Sequence, residues 1–152
     1  TQFLESHLNM ENNKDIFYMG EALKEAKLAF DKGEIPVGCI IVKNNEIIVR
    51  SHNLTVTKQL TAAHAEMLAI EQACKKLKSW RLLDCEMYVT LEPCIMCSGA
   101  IINSRIKRLV YGACQPKFGA HQSLTNVFDL KTNHKVCVFV FNLIKSFLLN
   151  LF

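Results

Sequence analysis

The chain has 152 residues, half of them apolar and 21% charged, and it carries a formal net charge of +4. This length and apolar content predict one domain, residues 1–152, with a real hydrophobic core. The charge excludes the strongly basic profile of a dedicated nucleic-acid binder, but it permits a partner that carries phosphate.

Seven cysteines are spread along the chain. Their odd number, and the lack of an apolar signal-peptide region within residues 1–13, argue against a disulfide framework. We therefore expect a reducing, cytoplasmic location. The five cysteines outside the motif described below are then interpreted as small buried apolar residues.

The N-terminal half predicts a helix, a hairpin and a second helix. Apolar residues recur at spacings of three and four after Asp15, which is interpreted as the cap of a helix ending near Asp31. A buried strand at 36–42, a turn at 43–46 and a strand at 47–51 follow. The polar segment 52–61 is expected to be a loop, and a helix is expected over 62–77.

The C-terminal half alternates strands with helices and contains one long irregular segment. Strands are predicted at 87–91, 108–111 and 136–141, helices at about 93–103 and 142–152, and an irregular segment at 114–132. The apolar run 136–152 is shorter than the roughly 20 residues that a membrane anchor needs, so we expect a core strand and a helix there, and no membrane partner. Helices alternating with apolar strands predict an α/β fold, a three-layer α/β/α sandwich around a mixed five-stranded sheet.

The candidate metal-ligating and acid–base residues lie in two short motifs, His64-Ala65-Glu66 and Pro93-Cys94-Ile95-Met96-Cys97. Pro93 suits the first position of a helix, which would place both thiols in the first turn, where free N–H groups favour thiolates. Two cysteines and one histidine make three zinc ligands, one fewer than a closed structural site has. An open site binds water, and Glu66 is then the natural proton carrier.

The sequence alone leaves the geometry and the function of these motifs open. Residues two apart on a regular helix point about 200° away from each other, so His64 and Glu66 converge only at the very start of a helix. A lone C-x-x-C is often incidental or half of a structural zinc site. A non-catalytic, zinc-stabilised binding module is therefore an alternative to an enzyme, although a structural site has no use for an adjacent acid.

The combination of H-x-E with a later P-C-x-x-C is the known signature of zinc deaminases. Across residues 18–134 the chain resembles the cytidine-deaminase-like fold and, within it, the bacterial tRNA-specific adenosine deaminases. The resemblance rests on these segments: 19–23 (MGEAL), 34–38 (EIPVG), 64–67 (HAEM), 80–83 (WRLL), 88–94 (YVTLEPC), 96–101 (MCSGAI), 104–106 (SRI), 111–113 (YGA) and 133–134 (NH).

This resemblance implies zinc-dependent conversion of adenosine to inosine at the wobble position of a tRNA anticodon. It implies one zinc per subunit of a homodimer, with each tRNA touching both subunits. His64, Cys94 and Cys97 match the family's zinc ligands, and Glu66 matches its proton shuttle. The expected substrate-binding residues are Asn53, which matches the asparagine that contacts the target base, together with Ala65 and Lys117.

Two segments differ from the family pattern. Residues 61–63 read Thr-Ala-Ala where the family more often has Pro-Thr-Ala, and residues 147–152 are apolar where the family more often has a longer basic helix. We expect the second difference to affect tRNA affinity and not the zinc site. A deaminase that acts on a free nucleobase or nucleoside, such as guanine or cytosine, is the alternative enzyme, because it would use the same zinc and the same Glu66.

Overall fold

The structure is a computed structural model that describes residues 2–141, with the side chains of residues 3–12 excepted. Helices and strands alternate along this range. The helices are α1 (Gln2–Asp31), the single turn α2 (Thr55–Lys58), α3 (Ala65–Leu77) and α4 (Ile95–Asn103). The strands are β1 (Gly38–Lys43), β2 (Glu46–His52), β3 (Cys85–Leu91), β4 (Arg108–Ala113) and β5 (Cys137–Val140).

The strands form one mixed sheet in the order β2-β1-β3-β4-β5. Strand β1 is antiparallel to both β2 and β3, whereas β3, β4 and β5 are parallel to one another. The β1–β2 turn contains Asn44 and Asn45, both with positive φ, which is typical of the tight hairpin turns that match strand twist. The predicted mixed five-stranded sheet is thus confirmed.

Alternate residues of the central strands serve the two faces of the sheet. Ile40, Tyr88 and Val110 pack with α1 on one face. Their neighbours Ile41, Met87 and Leu109 belong to the cluster on the other face, which also contains Ala69 of α3 and Ile101 of α4. The alternation of side chains therefore places α1 on one face of the sheet and α3 and α4 on the other. This arrangement gives the predicted three layers, and the two helices that carry the motifs lie on the same side.

The prediction that Asp15 caps the first helix is wrong. Helix α1 already begins at Gln2, so Asp15 lies in its middle. Its buried carboxylate accepts hydrogen bonds from Arg108 of β4 and from the Tyr88 hydroxyl of β3. Asp15 therefore joins the helix to the sheet, and a distant ion pair explains its presence better than a local cap does.

Other element boundaries differ by a few residues from the prediction. The segment 52–61 is not entirely a loop, because it contains α2, and α3 begins at Ala65 and not near residue 62. Residues 114–132 are irregular as predicted, apart from a 3₁₀ turn at Val127–Asp129. The helix predicted over 142–152 lies outside the described residues. Between residues 2 and 141, no helix combines the length and the apolar character required to cross a membrane.

The interpretation of all five remaining cysteines as buried residues is wrong for three of them. Cys39 and Cys85 are buried in the core, but Cys74 is only half-buried, and Cys114 and Cys137 are exposed. Cys114 follows β4 directly and Cys137 begins the edge strand β5, so neither lies inside the core.

Candidate metal centre and substrate pocket

The three predicted ligands meet where two helices begin. His64 is the N-cap residue of α3 and Cys94 is the N-cap residue of α4, and both have extended backbone conformations. Neither side chain caps its own helix. Cys94 also forms an isolated β-bridge with Gly119, which keeps it extended and explains why α4 begins at Ile95 and not at the predicted Pro93.

The side chains of His64, Cys94 and Cys97 face one another closely. The Nδ1 atom of His64 lies 3.7 Å from Sγ of Cys94 and 3.5 Å from Sγ of Cys97. All three candidate ligand atoms lie within 4.8 Å of one another. One imidazole nitrogen and two sulfurs therefore form a compact group that could hold a metal ion.

The electrostatics of this group favour a thiolate at Cys94. Hydrogen bonds from the Cys97 thiol and from His64 lower the pKa of Cys94 to about 4, despite its partial burial. The same contact, together with burial, raises the pKa of Cys97. The N-terminal ends of α3 and α4 add positive partial charge, which favours the anionic form of nearby ligands.

Glu66 lies beside this group, as the sequence predicted. It belongs to the first turn of α3, two residues after the N-cap His64, and only 4% of its surface is exposed. The extended backbone of His64 lets both side chains reach the same region, so the expected geometry at a helix start is confirmed. Burial raises the pKa of Glu66 to about 7, against a hydrogen bond from its own backbone N–H that lowers it. A carboxyl group with this pKa can both accept and donate a proton near neutral pH.

A pocket of about 450 Å³ opens onto His64, Glu66 and Cys94. Most of its remaining lining is apolar or uncharged and comes from four parts of the chain: Ile35 and Val37 before β1, Asn53, Thr55 and Thr61 after β2, Leu91, Glu92 and Met96 around the start of α4, and Gln115 and Phe118 after β4. This volume suits a small planar ring system.

Asn53 lines the pocket and is held in place by its neighbours. Its Oδ1 accepts hydrogen bonds from the backbone N–H of Thr55 at 3.2 Å and from the Thr55 hydroxyl at 2.6 Å. Its Nδ2 group donates to the carbonyl of Ile35 at 3.4 Å. Because Nδ2 carries two N–H groups, a second donor is available for a ligand in the pocket.

The other two predicted substrate-binding residues, Ala65 and Lys117, are not among the residues that line the pocket. Ala65 is fully buried, and its carbonyl accepts a hydrogen bond of 2.6 Å from the Ser51 hydroxyl. Lys117 is exposed, and its neighbour Phe118 is a lining residue of the pocket. Lys117 thus lies close to the pocket along the chain, and its side chain faces solvent.

Two acidic residues near the pocket received no role from the sequence. Glu34 accepts hydrogen bonds from the backbone N–H groups of Val56 and Thr57, which lowers its pKa although burial opposes this. Burial also opposes ionisation of Glu92, but hydrogen bonds from the segment 115–123 lower its pKa to about 2. The only local indication that Glu92 has a role is its position directly after an apolar strand. Its hydrogen-bond partners lie far away in the sequence.

Sequence comparisons identify relatives of this chain. A sequence model of the MafB19-like deaminase family matches residues 11–151. The tRNA-specific adenosine deaminase of Bacillus subtilis (strain 168) is 51% identical over 123 residues, which are 80% of this chain and 76% of that protein.

Solved structures resemble the fold as well as the sequence. A structure from a study of A-to-I editing by tRNA:A34 deaminases at the wobble position of transfer RNA has a TM-score of 0.79 and 41% identity, and the match covers 82% of this chain and 97% of that one. The guanine deaminase of Bacillus subtilis has a TM-score of 0.63 and 38% identity, with 64% and 63% covered. The chain therefore matches the MafB19-like deaminase model and belongs to the family of tRNA-specific adenosine deaminases.

Proposed function

We propose that this protein hydrolytically deaminates adenosine to inosine at the wobble position of a tRNA anticodon, with zinc as its cofactor. The observation that carries the proposal is the convergence of His64, Cys94 and Cys97 beside the buried acid Glu66 in a pocket. The tRNA-specific adenosine deaminase of Bacillus subtilis, half identical in sequence, supports the choice of substrate.

The distances from His64 to the two cysteines fit zinc. With bonds of about 2.3 Å to sulfur and about 2.0 Å to nitrogen, a tetrahedral ion separates its sulfur and nitrogen ligands by about 3.5 Å. The observed separations from His64 Nδ1 are 3.5 and 3.7 Å. We therefore assign His64, Cys94 and Cys97 as ligands of one zinc ion per subunit, which would supply Lewis-acid activation of a water molecule.

Glu66 is assigned as the group that moves protons. It accepts a proton from the attacking water as oxygen bonds to C6 of adenine, and it gives a proton to the amino group that leaves as ammonia. The C6–N bond breaks, so adenine and water become hypoxanthine and ammonia. The buried position of Glu66 and its pKa of about 7 suit both transfers.

Binding of the base and of the RNA is assigned to the remaining predicted residues. The unused N–H of Asn53 can donate to an acceptor on the purine edge. Ala65 lies between His64 and Glu66, and the hydrogen bond from Ser51 to its carbonyl anchors this part of the pocket to β2. Lys117 can contact a phosphate, so we expect affinity for RNA that falls with salt. A base in an anticodon loop is already single-stranded, which lowers the cost of extruding it into the pocket.

We further propose that residues 1–152 fold as one domain, that the protein acts as a homodimer and that it works in the cytoplasm. Exposed apolar side chains near the pocket, Ile35, Met96 and Phe118, give a second subunit or an RNA base a surface to cover. Sedimentation of the zinc-loaded protein at micromolar concentration would test the dimer: a single species of twice the chain mass is expected.

The substrate is tested with an anticodon stem-loop that carries adenosine at the wobble position. A matched stem-loop with that adenosine moved to the stem, and free adenine, guanine and cytosine, are assayed in parallel. Inosine in the first RNA alone is expected. Conversion of a free base without conversion of the RNA would show that the pocket serves a nucleobase deaminase, and zinc binding without any conversion would favour a non-catalytic module.

A further inference from the structure

Glu92 makes an unusual number of contacts for a residue between a strand and a metal ligand. It directly follows β3, precedes Pro93 and Cys94, and is only 3% exposed. Its carboxylate accepts hydrogen bonds from one segment of the chain: from the backbone N–H groups of Gln115 at 2.9 Å, His121 at 3.0 Å, Gln122 at 2.6 Å and Ser123 at 3.0 Å, and from the Ser123 hydroxyl.

Residues 115–123 therefore wrap around one buried carboxylate, and we call them the Glu92 loop. All five partners are hydrogen-bond donors, and they are divided between the two oxygens of the carboxylate. Glutamine has only one acceptor oxygen, so it cannot replace this anion. The loop has no helix or strand to satisfy these N–H groups internally. The carboxylate of Glu92 thus accepts the hydrogen bonds of backbone N–H groups that carbonyl groups would accept in a helix or a sheet.

Gly119 completes the fit between the loop and Glu92. A Cβ atom at this position would overlap Oε2 and Cδ of Glu92, so only glycine allows the close approach. Gly119 also forms the β-bridge with Cys94, and the N–H of Ala120 donates to the carbonyl of Pro93 at 2.9 Å. The loop is docked on the same stretch of chain that supplies a metal ligand.

Both Gln115 and Phe118 of this loop line the pocket. Phe118 is 63% exposed, so its ring is available to a ligand at the pocket mouth. Aromatic side chains in this situation stack on nucleic-acid bases whatever the base. We infer that Glu92 is a positioning residue: it holds the Glu92 loop as a wall of the pocket and, through Phe118, sets the affinity for the RNA substrate.

This inference rests on the proposed function, so its test has one readout that needs no substrate. Amide hydrogen exchange is measured across the chain for the wild type, Glu92→Gln and Gly119→Ala, all loaded with zinc. Glu92→Gln replaces one of the two acceptor oxygens with an NH2 group, which is a donor. Gly119→Ala leaves Glu92 unchanged but adds a Cβ atom that pushes the loop away from it. Both variants are expected to exchange residues 115–123 roughly tenfold faster or more, with one zinc retained per chain.

Glu34→Gln is the matched control. Glu34 accepts hydrogen bonds from Val56 and Thr57 and so holds α2, whose first residue, Thr55, lines another side of the pocket. The variant should speed exchange at residues 56–57 and leave residues 115–123 unchanged. If amide exchange in the Glu92 loop becomes as fast in this variant as in Glu92→Gln, the effect is general destabilisation, and the specific role of Glu92 is overturned.

Kinetics on the anticodon stem-loop provide the second readout. Glu92→Gln and Gly119→Ala should raise KM roughly tenfold and change kcat less than about threefold, since the loop contributes binding and not chemistry. The double variant should be no worse than either single variant, because both remove one contact. Phe118→Ala should raise KM without faster exchange.

Three further results would overturn the inference. Unchanged exchange in Glu92→Gln would show that the loop does not depend on this carboxylate. Faster exchange with an unchanged KM would show that the loop does not bind the substrate. Loss of zinc from both variants would mean that Glu92 supports Cys94 and not the loop. If the wild type converts no RNA, the proposed function fails, and exchange still decides whether Glu92 holds the loop.

Discussion

Replacing Asp15 by asparagine distinguishes an ion pair from a helix cap. Asparagine is as good an N-cap residue as aspartate, so a capping role predicts almost no change in stability. In the structure, the two oxygens of Asp15 accept separate hydrogen bonds from Nη1 and Nη2 of Arg108, at 2.8 and 2.7 Å. The change therefore leaves the guanidinium with a neutral partner that has a single acceptor oxygen.

The expected loss follows from the burial of this pair. The side chains of Arg108 and Asp15 are only 17% and 10% exposed, and breaking such a buried pair costs about 3–5 kcal/mol. Arg108 keeps Glu86 at 3.0 Å, and asparagine keeps one acceptor, so we expect about 2–3 kcal/mol. At about 2–4 °C per kcal/mol for a chain of this size, Tm should fall by about 4–12 °C.

The assay is urea unfolding and thermal unfolding of the zinc-loaded protein. Glu86→Gln is the control, since Glu86 pairs with the same arginine but is 36% exposed and should cost less than about 1 kcal/mol. If Asp15→Asn lies within about 0.5 kcal/mol of the wild type, or costs no more than Glu86→Gln, the buried ion pair does not stabilise the fold as argued.

Three further predictions concern the metal centre and the pocket. Glu66→Gln keeps one zinc per chain and lowers kcat on the stem-loop by about 10²–10⁴-fold, the usual contribution of a positioned acid–base; a normal rate would remove Glu66 from the mechanism. Cys94→Ala loses zinc, measured by elemental analysis, whereas Cys114→Ala, which changes an exposed free thiol, retains it; full occupancy in Cys94→Ala would exclude Cys94 as a ligand. Asn53→Ala raises KM at least tenfold by removing a donor to the base, and an unchanged KM would show that Asn53 does not contact it.

Local patterns in the sequence were sufficient to predict the sheet and the clustering of His64, Cys94 and Cys97. The hairpin has a clear turn signal in Asn44 and Asn45, and period-two alternation assigns each strand its two faces. The clustered residues follow from two short motifs because each motif lies at the start of a helix, and a helix start is a local feature. The two residue groups then meet because α3 and α4 pack on the same face of the sheet.

Contacts between distant residues had no such signal. Asp15 and Arg108 are 93 positions apart, so the sequence offered only the local interpretation of a cap. The partners of Glu92 lie 23 to 31 positions away, in a segment without periodicity. In both cases a buried carboxylate is satisfied by groups that only the folded chain brings near.

The same limit explains the shift in the start of α4. Pro93 is a good first residue of a helix, but its carbonyl accepts the N–H of Ala120, and Cys94 pairs with Gly119. These contacts with the Glu92 loop keep Cys94 extended. The helix therefore begins at Ile95, and Cys94 becomes its N-cap residue.

The proposed activity depends first on an open zinc site made by His64, Cys94 and Cys97. X-ray absorption at the zinc edge of the purified protein measures the ligands of the bound metal directly. We expect two sulfur atoms at about 2.3 Å and two nitrogen or oxygen atoms at about 2.0–2.1 Å, one from imidazole and one from solvent. A shell of four sulfur atoms would contradict an open catalytic site, since it would mean that other cysteines of this chain close the coordination sphere.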